Sequence, residues 1–463
     1  MKPAWLLSAF LILVSAALLA QSNPVPLVYQ SLRPVSAPPG HATFTLGVRG
    51  TGFVSGAVVQ WNGQPLVTRF VSSSALAAIV PAALVSTPGT GSVTVTNPHG
   101  IASNIVYFPV RHRSSTVTLA TDPATIESGM VVVCDFNRDN KPDISVFGED
   151  NAGNAYLDTY FSNGTGNFLK IAGPQFQNSS IIGPGEVTGD FNNDGNLDVA
   201  VSIDGTYKIY LGNGRGGFTL APGVVFGTGV VADVNGDGIL DFVTMNFDQV
   251  FTLIVSLGNG DGTFTDNGQD VLVNGKISGV PVIGDFNGDG NLDVAIPGTS
   301  AVAVFLGKGD GTLQAEVDYP VSGGSSYGGS FAVAADINGD GKLDVVTNGA
   351  SVLLGNGDGT FVNTFSMPVN SHAAGNLEIG DINGDGKLDL ATTAIDFGTS
   401  QMMLDILLGN GDGTFQSPVT QVLGSGEVCC APLGMADFNH DGRLDFAIGG
   451  LGSGLVLLQT PSK

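Results

Sequence analysis

Seven short stretches of the sequence carry the frame Asp-x-Asn-x-Asp-x-x-x-Asp, which sets three carboxylates and an amide oxygen on a tight backbone. They are Asp135, Asn137, Asp139 and Asp143; Asp190, Asn192, Asp194 and Asp198; Asp233, Asn235, Asp237 and Asp241; Asp285, Asn287, Asp289 and Asp293; Asp336, Asn338, Asp340 and Asp344; Asp381, Asn383, Asp385 and Asp389; and Asp437, Asn439, Asp441 and Asp445. Positions one, three, five and nine offer hard oxygens, and position seven adds a backbone carbonyl. Such a donor set suits Ca²⁺, which takes six to eight oxygens at about 2.3–2.6 Å. No Cys and only one His (His440, in the last loop) falls inside these frames, which argues against zinc and copper. Position six is Gly in every copy but the first, where Asn140 stands instead and Pro142 follows at position eight. Asn tolerates the left-handed conformation, so the first loop is expected to bind more weakly than the rest. A plainer reading is that Asp and Asn only cap turns. Against it stands repulsion: two carboxylates about 4 Å apart cost about 4 kcal/mol at an effective dielectric near 20. Three aspartates in each of seven loops account for 21 of the 41 acids. Seven Ca²⁺, one per loop, would bring the net charge from −24 to −10, so the expected role of calcium is structural.

The elements that hold these loops are strands. An EF-hand needs a bidentate Glu at position twelve, but Val146, Val201, Thr244, Ile296, Thr347, Thr392 and Ile448 stand there. β-Formers such as Val294-Ala295-Ile296 follow position nine, so each loop leads into a strand. Position two is apolar in all copies (Phe136, Phe191, Val234, Phe286, Ile337, Ile382 and Phe438) and is expected to plug a core. The loops recur at spacings of 55, 43, 52, 51, 45 and 56 residues. A period near 50 with several short strands predicts a propeller or solenoid of four-stranded units. Six loops are followed by a Gly-rich turn such as Leu257-Gly258-Asn259-Gly260-Asp261-Gly262-Thr263-Phe264. Asn-Gly and Asp-Gly supply the positive φ that a tight hairpin needs. A phosphate cradle is excluded by the lack of a following helix pattern and by the copy number. The seventh unit lacks the turn, and Thr116-Val117-Thr118-Leu119 is expected to close the ring beside Leu455–Leu458, which removes exposed edges.

In their frame and number these loops resemble the FG-GAP/VCBS repeats of integrin α-subunit propellers and of many bacterial exported proteins. The resemblance spans residues 113 to 463. It implies an all-β fold with a seven-bladed β-propeller, a calcium loop between the first two strands of each blade, and the Asp, Asn, Asp and closing Asp of each copy as ligands. Ahead of it, residues 23–112 contain no acidic residue and show short alternating strands between Gly and Pro turns, the pattern of a small β-sandwich. Gly50-Thr51-Gly52-Phe53, Val58-Val59-Gln60-Trp61-Asn62-Gly63 and Ser92-Val93-Thr94-Val95-Thr96-Asn97-Pro98 resemble the immunoglobulin-like IPT/TIG family, which implies a spacer or binding module.

The rest of the sequence narrows location and function. Lys2 and the apolar run from Trp5 to Ala20 read as an export signal over residues 1–22, with cutting after Ser22 or, as an alternative, after Ala20. The other reading is an uncleaved anchor, for which the apolar run is short. The expected location is outside the cell or at its surface, without membrane insertion once the signal is removed. A net charge of −24 excludes nucleic acid and anionic membranes as partners. With 68 Gly and 13% charged residues the composition favours short strands and turns over helices. Cys134, Cys429 and Cys430 form no disulfide scaffold. A vicinal Cys429–Cys430 bridge, a link to Cys134, and plain burial all stay open. No nucleophile–base arrangement can be argued from spacing, and no catalytic residue is assigned. His440 is expected at the surface. Glu186 and Glu378, just ahead of two loops, could face a channel but fit strand-end surface positions better. Binding of a protein or glycan by a monomer is favoured over catalysis. The alternative is an enzyme acting on extracellular polysaccharide.

Overall fold

A computed structural model describes residues 23–461 except 30–31, 101, 121–123, 151, 177–180, 204, 247–250, 270, 274–278, 322–329, 349–350, 367–372, 397, 426–430 and 451–453. The export signal, Cys429 and Cys430 lie outside the described residues. Apart from one 3₁₀ turn at Ala82–Val85, the described elements are strands. Among the described residues no helix is long and apolar enough to cross a membrane.

The N-terminal part is a sandwich of two four-stranded antiparallel sheets. One runs in the order Leu27–Val28, Phe44–Thr51, Ala75–Val80, Val67–Ser72; the other Gln64–Pro65, Val58–Trp61, Gly89–Thr96, Val106–Val110. Alternation places Leu46, Val48, Val59, Trp61, Val93, Val95 and Phe108 in one core. Trp61 lies where a Cβ on Gly91 would stand, 2.2 Å from the ring atoms, so only glycine leaves it room.

From Ala124 onward the described strands form seven antiparallel sheets of four main strands each. Each acidic loop joins the first strand of a sheet to the second, as between Val282–Gly284 and Asp293–Pro297. The first strands touch in sequence round a ring, and Leu433–Ala436 of the seventh touches Met130–Cys134 of the first, which closes it. The result is a β-propeller, and its sheets are numbered here as blades one to seven in chain order. The position-two side chains, Phe286 and its six counterparts, are all buried between blades. The Gly-rich turns are hairpins between third and fourth strands. In blade three Asn259 N donates to Thr263 O at 3.0 Å, with Gly260 and Gly262 at φ +73° and +81°. These hairpins also tie blades together: Gly262 N donates to Phe191 O of blade two, Gly359 N to Phe286 O of blade four, and Gly166 N to Phe438 O of blade seven.

Ring closure differs from the expectation. The outer strand of blade seven is Ala124–Ile126, paired antiparallel with Gly454–Val456. Thr116–Leu119 runs on past that edge: Leu119 bridges Gln459, and Thr460 N donates to Thr118 O. Val117 and Leu119 pack on the core shared by blades six and seven. The segment's apolar residues serve as a plug, and the shorter strand that follows it forms the ladder.

Candidate cation loops and the cleft beside them

The loops repeat one hydrogen-bond scheme. In blade four Asp285 Oδ1 accepts the N–H of Gly288 and Asp289 at 2.7 and 3.2 Å, and Oδ2 accepts that of Gly290 at 2.9 Å. Asn287 Oδ1 accepts the same Asp289 N–H at 2.8 Å. Asp289 turns instead to its own loop, accepting from Asn291 N at 2.8 Å and Asn287 Nδ2 at 3.0 Å. The left-handed turn that permits this falls on Gly290 at φ +90° and, in blade one, on Asn140 at φ +63°.

The closing aspartate has a role that spacing alone did not reveal. Asp293 is fully buried; its Oδ2 accepts Phe286 N and its Oδ1 accepts Gly307 N, both at 2.8 Å. Gly307 belongs to the chain just beyond the third strand, so one carboxylate clamps the loop to a distant turn. The same pair of bonds recurs at Asp143, Asp198, Asp241, Asp344, Asp389 and Asp445, all fully buried. Burial outweighs the amide bonds and pushes these carboxyls up, to about 6 at Asp344, about 7 at Asp143, Asp198, Asp241 and Asp293, and about 8 at Asp389 and Asp445. Burial likewise raises position one at Asp135, Asp190, Asp233, Asp285, Asp381 and Asp437.

Among the described residues no three carboxylate, imidazole or thiol groups are gathered as a ready-made metal site. Position five stands apart, and in blades one and seven it is also held by Lys141 Nζ (2.7 Å) and Arg443 Nη1 (2.9 Å). The donors still suit a hard cation in kind. They are oxygens only, and positions one and three already point at one shared amide.

Two other expectations are corrected. Glu186 and Glu378 lie on first strands and are half-buried, and desolvation pushes both carboxyls up to about 8. Both carboxyl oxygens of Glu186 are buried without a hydrogen-bond partner. His440 is half-buried, packed where a Cβ on Gly164 would meet its ring. Cys134 is a free thiol beside Thr188 Oγ1 at 3.4 Å, and burial pushes it up to about 11.

The sandwich sits on the loop face of the ring. Val25 N donates to Asp233 Oδ2 at 2.8 Å, Arg33 Nη2 pairs with Asp336 Oδ2 at 2.6 Å, Ser36 Oγ donates to Asp381 Oδ2, and Thr90 Oγ1 donates to Asp437 Oδ2 at 2.7 Å. Tyr29 Oη accepts Asp285 N at 2.7 Å. Leu27, Tyr29 and Val35 add apolar contact with blades three to six, and buried Arg111 donates to Ile382 O. Blades three to seven are thus covered at position one. Over blades one and two the two domains part, leaving a cleft of about 760 Å³.

Comparison with known proteins agrees with this architecture. A family model described as FG-GAP-like repeat matches residues 135–201, 190–244, 233–296 and 285–347, and one described as IPT/TIG domain matches 27–110. No curated protein matches the chain. Among solved structures, an Agrocybe aegerita lectin with specific recognition of non-reducing terminal N-acetylglucosamine is 18% identical, covering 85% of this chain and 99% of its own, with a TM-score of 0.44. An auxiliary nutrient binding protein from Bacteroides ovatus is 10% identical over 94% of this chain and 98% of its own, with a TM-score of 0.38. A Bacteroides thetaiotaomicron counterpart is 11% identical over 95% and 99%, with a TM-score of 0.37. The chain therefore carries four FG-GAP-like repeats over residues 135–347 and, ahead of them, an IPT/TIG domain over residues 27–110.

Proposed function

We propose that the protein is an exported, calcium-braced binding module whose ligand is an extracellular glycan or protein. The observation that carries this reading is the distribution of its reactive groups. Acids recur one set per blade, and each closing aspartate is engaged by two backbone amides of its own blade. Catalysis needs acid, base and stabilising groups converging on one reacting atom; here the same chemistry is spread round a ring and serves the frame. Buried carboxyls with raised affinity for protons also favour a divalent partner, because a cation lets them ionise without leaving the interior. In each loop the position-one, position-three and closing oxygens, together with position five once it leaves its own amide, would hold the ion.

The test is melting of the whole chain in EDTA and in calcium. A single site at 100 times its dissociation constant adds about 2.7 kcal/mol, and extracellular sites work near 10⁻⁴–10⁻³ M. Chelation is expected to lower the melting temperature by several degrees, and millimolar Ca²⁺ to restore it. An unchanged curve after proven metal loss would reject the calcium reading. Turnover of any polysaccharide would replace binding with catalysis.

A further inference from the structure

The cleft between the sandwich and blades one and two differs from the remainder of the domain contact. Elsewhere a sandwich group engages the first aspartate or its amide; over blades one and two none does, and at the blade-three edge of the cleft Val25 N holds Asp233. Asp135 accepts the amides of Asp139 and Asn140, and Asp190 those of Asp194 and Gly195, all from their own loops. Three side chains that line this cleft have no hydrogen-bond partner among the described residues: Arg138 and Tyr107, from opposite domains, and His99. Arg138 lies across the loop of blade two, 3.0 Å from where a Cβ on Gly195 would stand, so that glycine leaves its guanidinium space. Tyr107 is inserted from the sandwich among blades seven and one, and its phenol offers an O–H donor. The floor includes Val133 and Leu197.

From this arrangement we infer that the cleft is a binding site for a neutral, hydroxyl-rich saccharide. The reasons are chemical. Unpartnered donors (Arg138, His99, Tyr107) face carboxylate acceptors (Asp135, Asp190) across one space, and a sugar hydroxyl both donates and accepts. The acids of the loops disfavour an anionic ligand, and Arg138 in the lining disfavours a cationic peptide. Apolar floor residues suit the C–H face of a sugar ring. A volume of about 760 Å³ falls in the range of about 300–1,000 Å³ usual for small-ligand sites, room for a short chain end and not for a folded partner. Arg138 occupies the variable fourth position of its loop, so its removal touches no candidate cation ligand.

The inference rests on the binding-module reading and can fail separately from it. Full-length protein would be titrated, in calcium and in EDTA, with fluorescently labelled neutral di-, tri- and tetrasaccharides built from hexoses and N-acetylhexosamines. At least one probe is expected to bind. Arg138→Ala should weaken that probe by about tenfold or more and Tyr107→Phe by several-fold. Arg215→Ala, on an exposed hairpin outside the cleft, should leave it unchanged, and all variants should melt as the parent does. Full affinity in both cleft variants would place the sugar site elsewhere and sink the proposal while leaving the module reading intact. A silent panel sinks it too, as does capture of an arginine-rich peptide that no probe displaces.

Discussion

At the scale of single residues, the aspartates of one loop divide into two kinds. Asp293 satisfies two buried backbone amides and has no exposed surface, whereas Asp289 is exposed and accepts one backbone amide and one side-chain amide of its own loop. An orphaned buried donor costs about 1–3 kcal/mol, and removing a buried carboxylate returns part of that. Asp293→Ala should therefore lose about 2–4 kcal/mol by urea unfolding even in EDTA. Asp289→Ala should lose less than about 1 kcal/mol in EDTA yet bind one calcium fewer. Equal losses for the two in EDTA would contradict the clamp. Glu378 gives a pH signature. Its carboxyl is raised by burial to about 8, so the folded chain holds a proton that the unfolded chain releases above about 4.5. Its contribution to stability declines as pH rises from there to about 8. Glu378→Gln cannot ionise. It should match the wild type near pH 4.5 and melt higher at pH 8, since a tenfold difference in proton affinity between folded and unfolded chain corresponds to about 1.4 kcal/mol. The closing aspartates slope the same way in EDTA, so the comparison is between variant and wild type in one buffer.

At the scale of elements, the repeat was legible because its signals are local. Asp-Gly and Asn-Gly turns fix hairpins, and the apolar second position fixes which way each loop faces. What stayed hidden was long-range. That Asp293 reaches Gly307, that Tyr107 enters the ring from the other domain, and that Glu378 is half-buried on its strand all depend on packing that no window of sequence contains. Ring closure shows the same limit: Thr116–Leu119 reads as the closing strand, and only the register with Gly454–Val456 reveals that Ala124–Ile126 takes that place. The seam they make has its own staple. Lys170, on the outer strand of blade one, bonds Glu127 just beyond Ala124–Ile126 at 2.5 Å and the buried Asp158 at 3.0 Å. Because Lys170 is partly exposed, water screens part of the loss. Lys170→Met should lower stability by about 1–2 kcal/mol in urea. It should also raise proteolysis of the segment before blade one ahead of global unfolding. Cleavage that waits for global unfolding would show the seam does not depend on the staple.

At the scale of the whole molecule, the two domains meet through the carboxylates proposed to hold calcium, and the atoms they use predict the sign of the coupling. In blade seven Asp437 Oδ2 accepts Thr90 Oγ1 and Gly442 N, while Oδ1 faces the Asp441 amide that Asn439 also bonds. Blades three and six follow the same division, with Val25 N and Ser36 Oγ on Oδ2. In blade five Arg33 takes Asp336 Oδ2 beside Gly341 N. The sandwich therefore uses the oxygen that points away from position three and leaves the loop-facing oxygen to a cation. Both partners favour the same ionised carboxylate in the same rotamer, so docking and loading should reinforce each other, and linkage makes the effect reciprocal. Arg33→Ala combined with Thr90→Ala removes two sandwich contacts and no candidate ligand. That variant is expected to take up as many calcium ions as the wild type with apparent affinity about fivefold weaker or more, read by calorimetric titration. In small-angle scattering, chelation should enlarge the radius of gyration of the wild type as the sandwich lifts. Tighter calcium binding in the double variant would mean that Arg33 and Thr90 compete with the cation, and the sign of the coupling would be reversed.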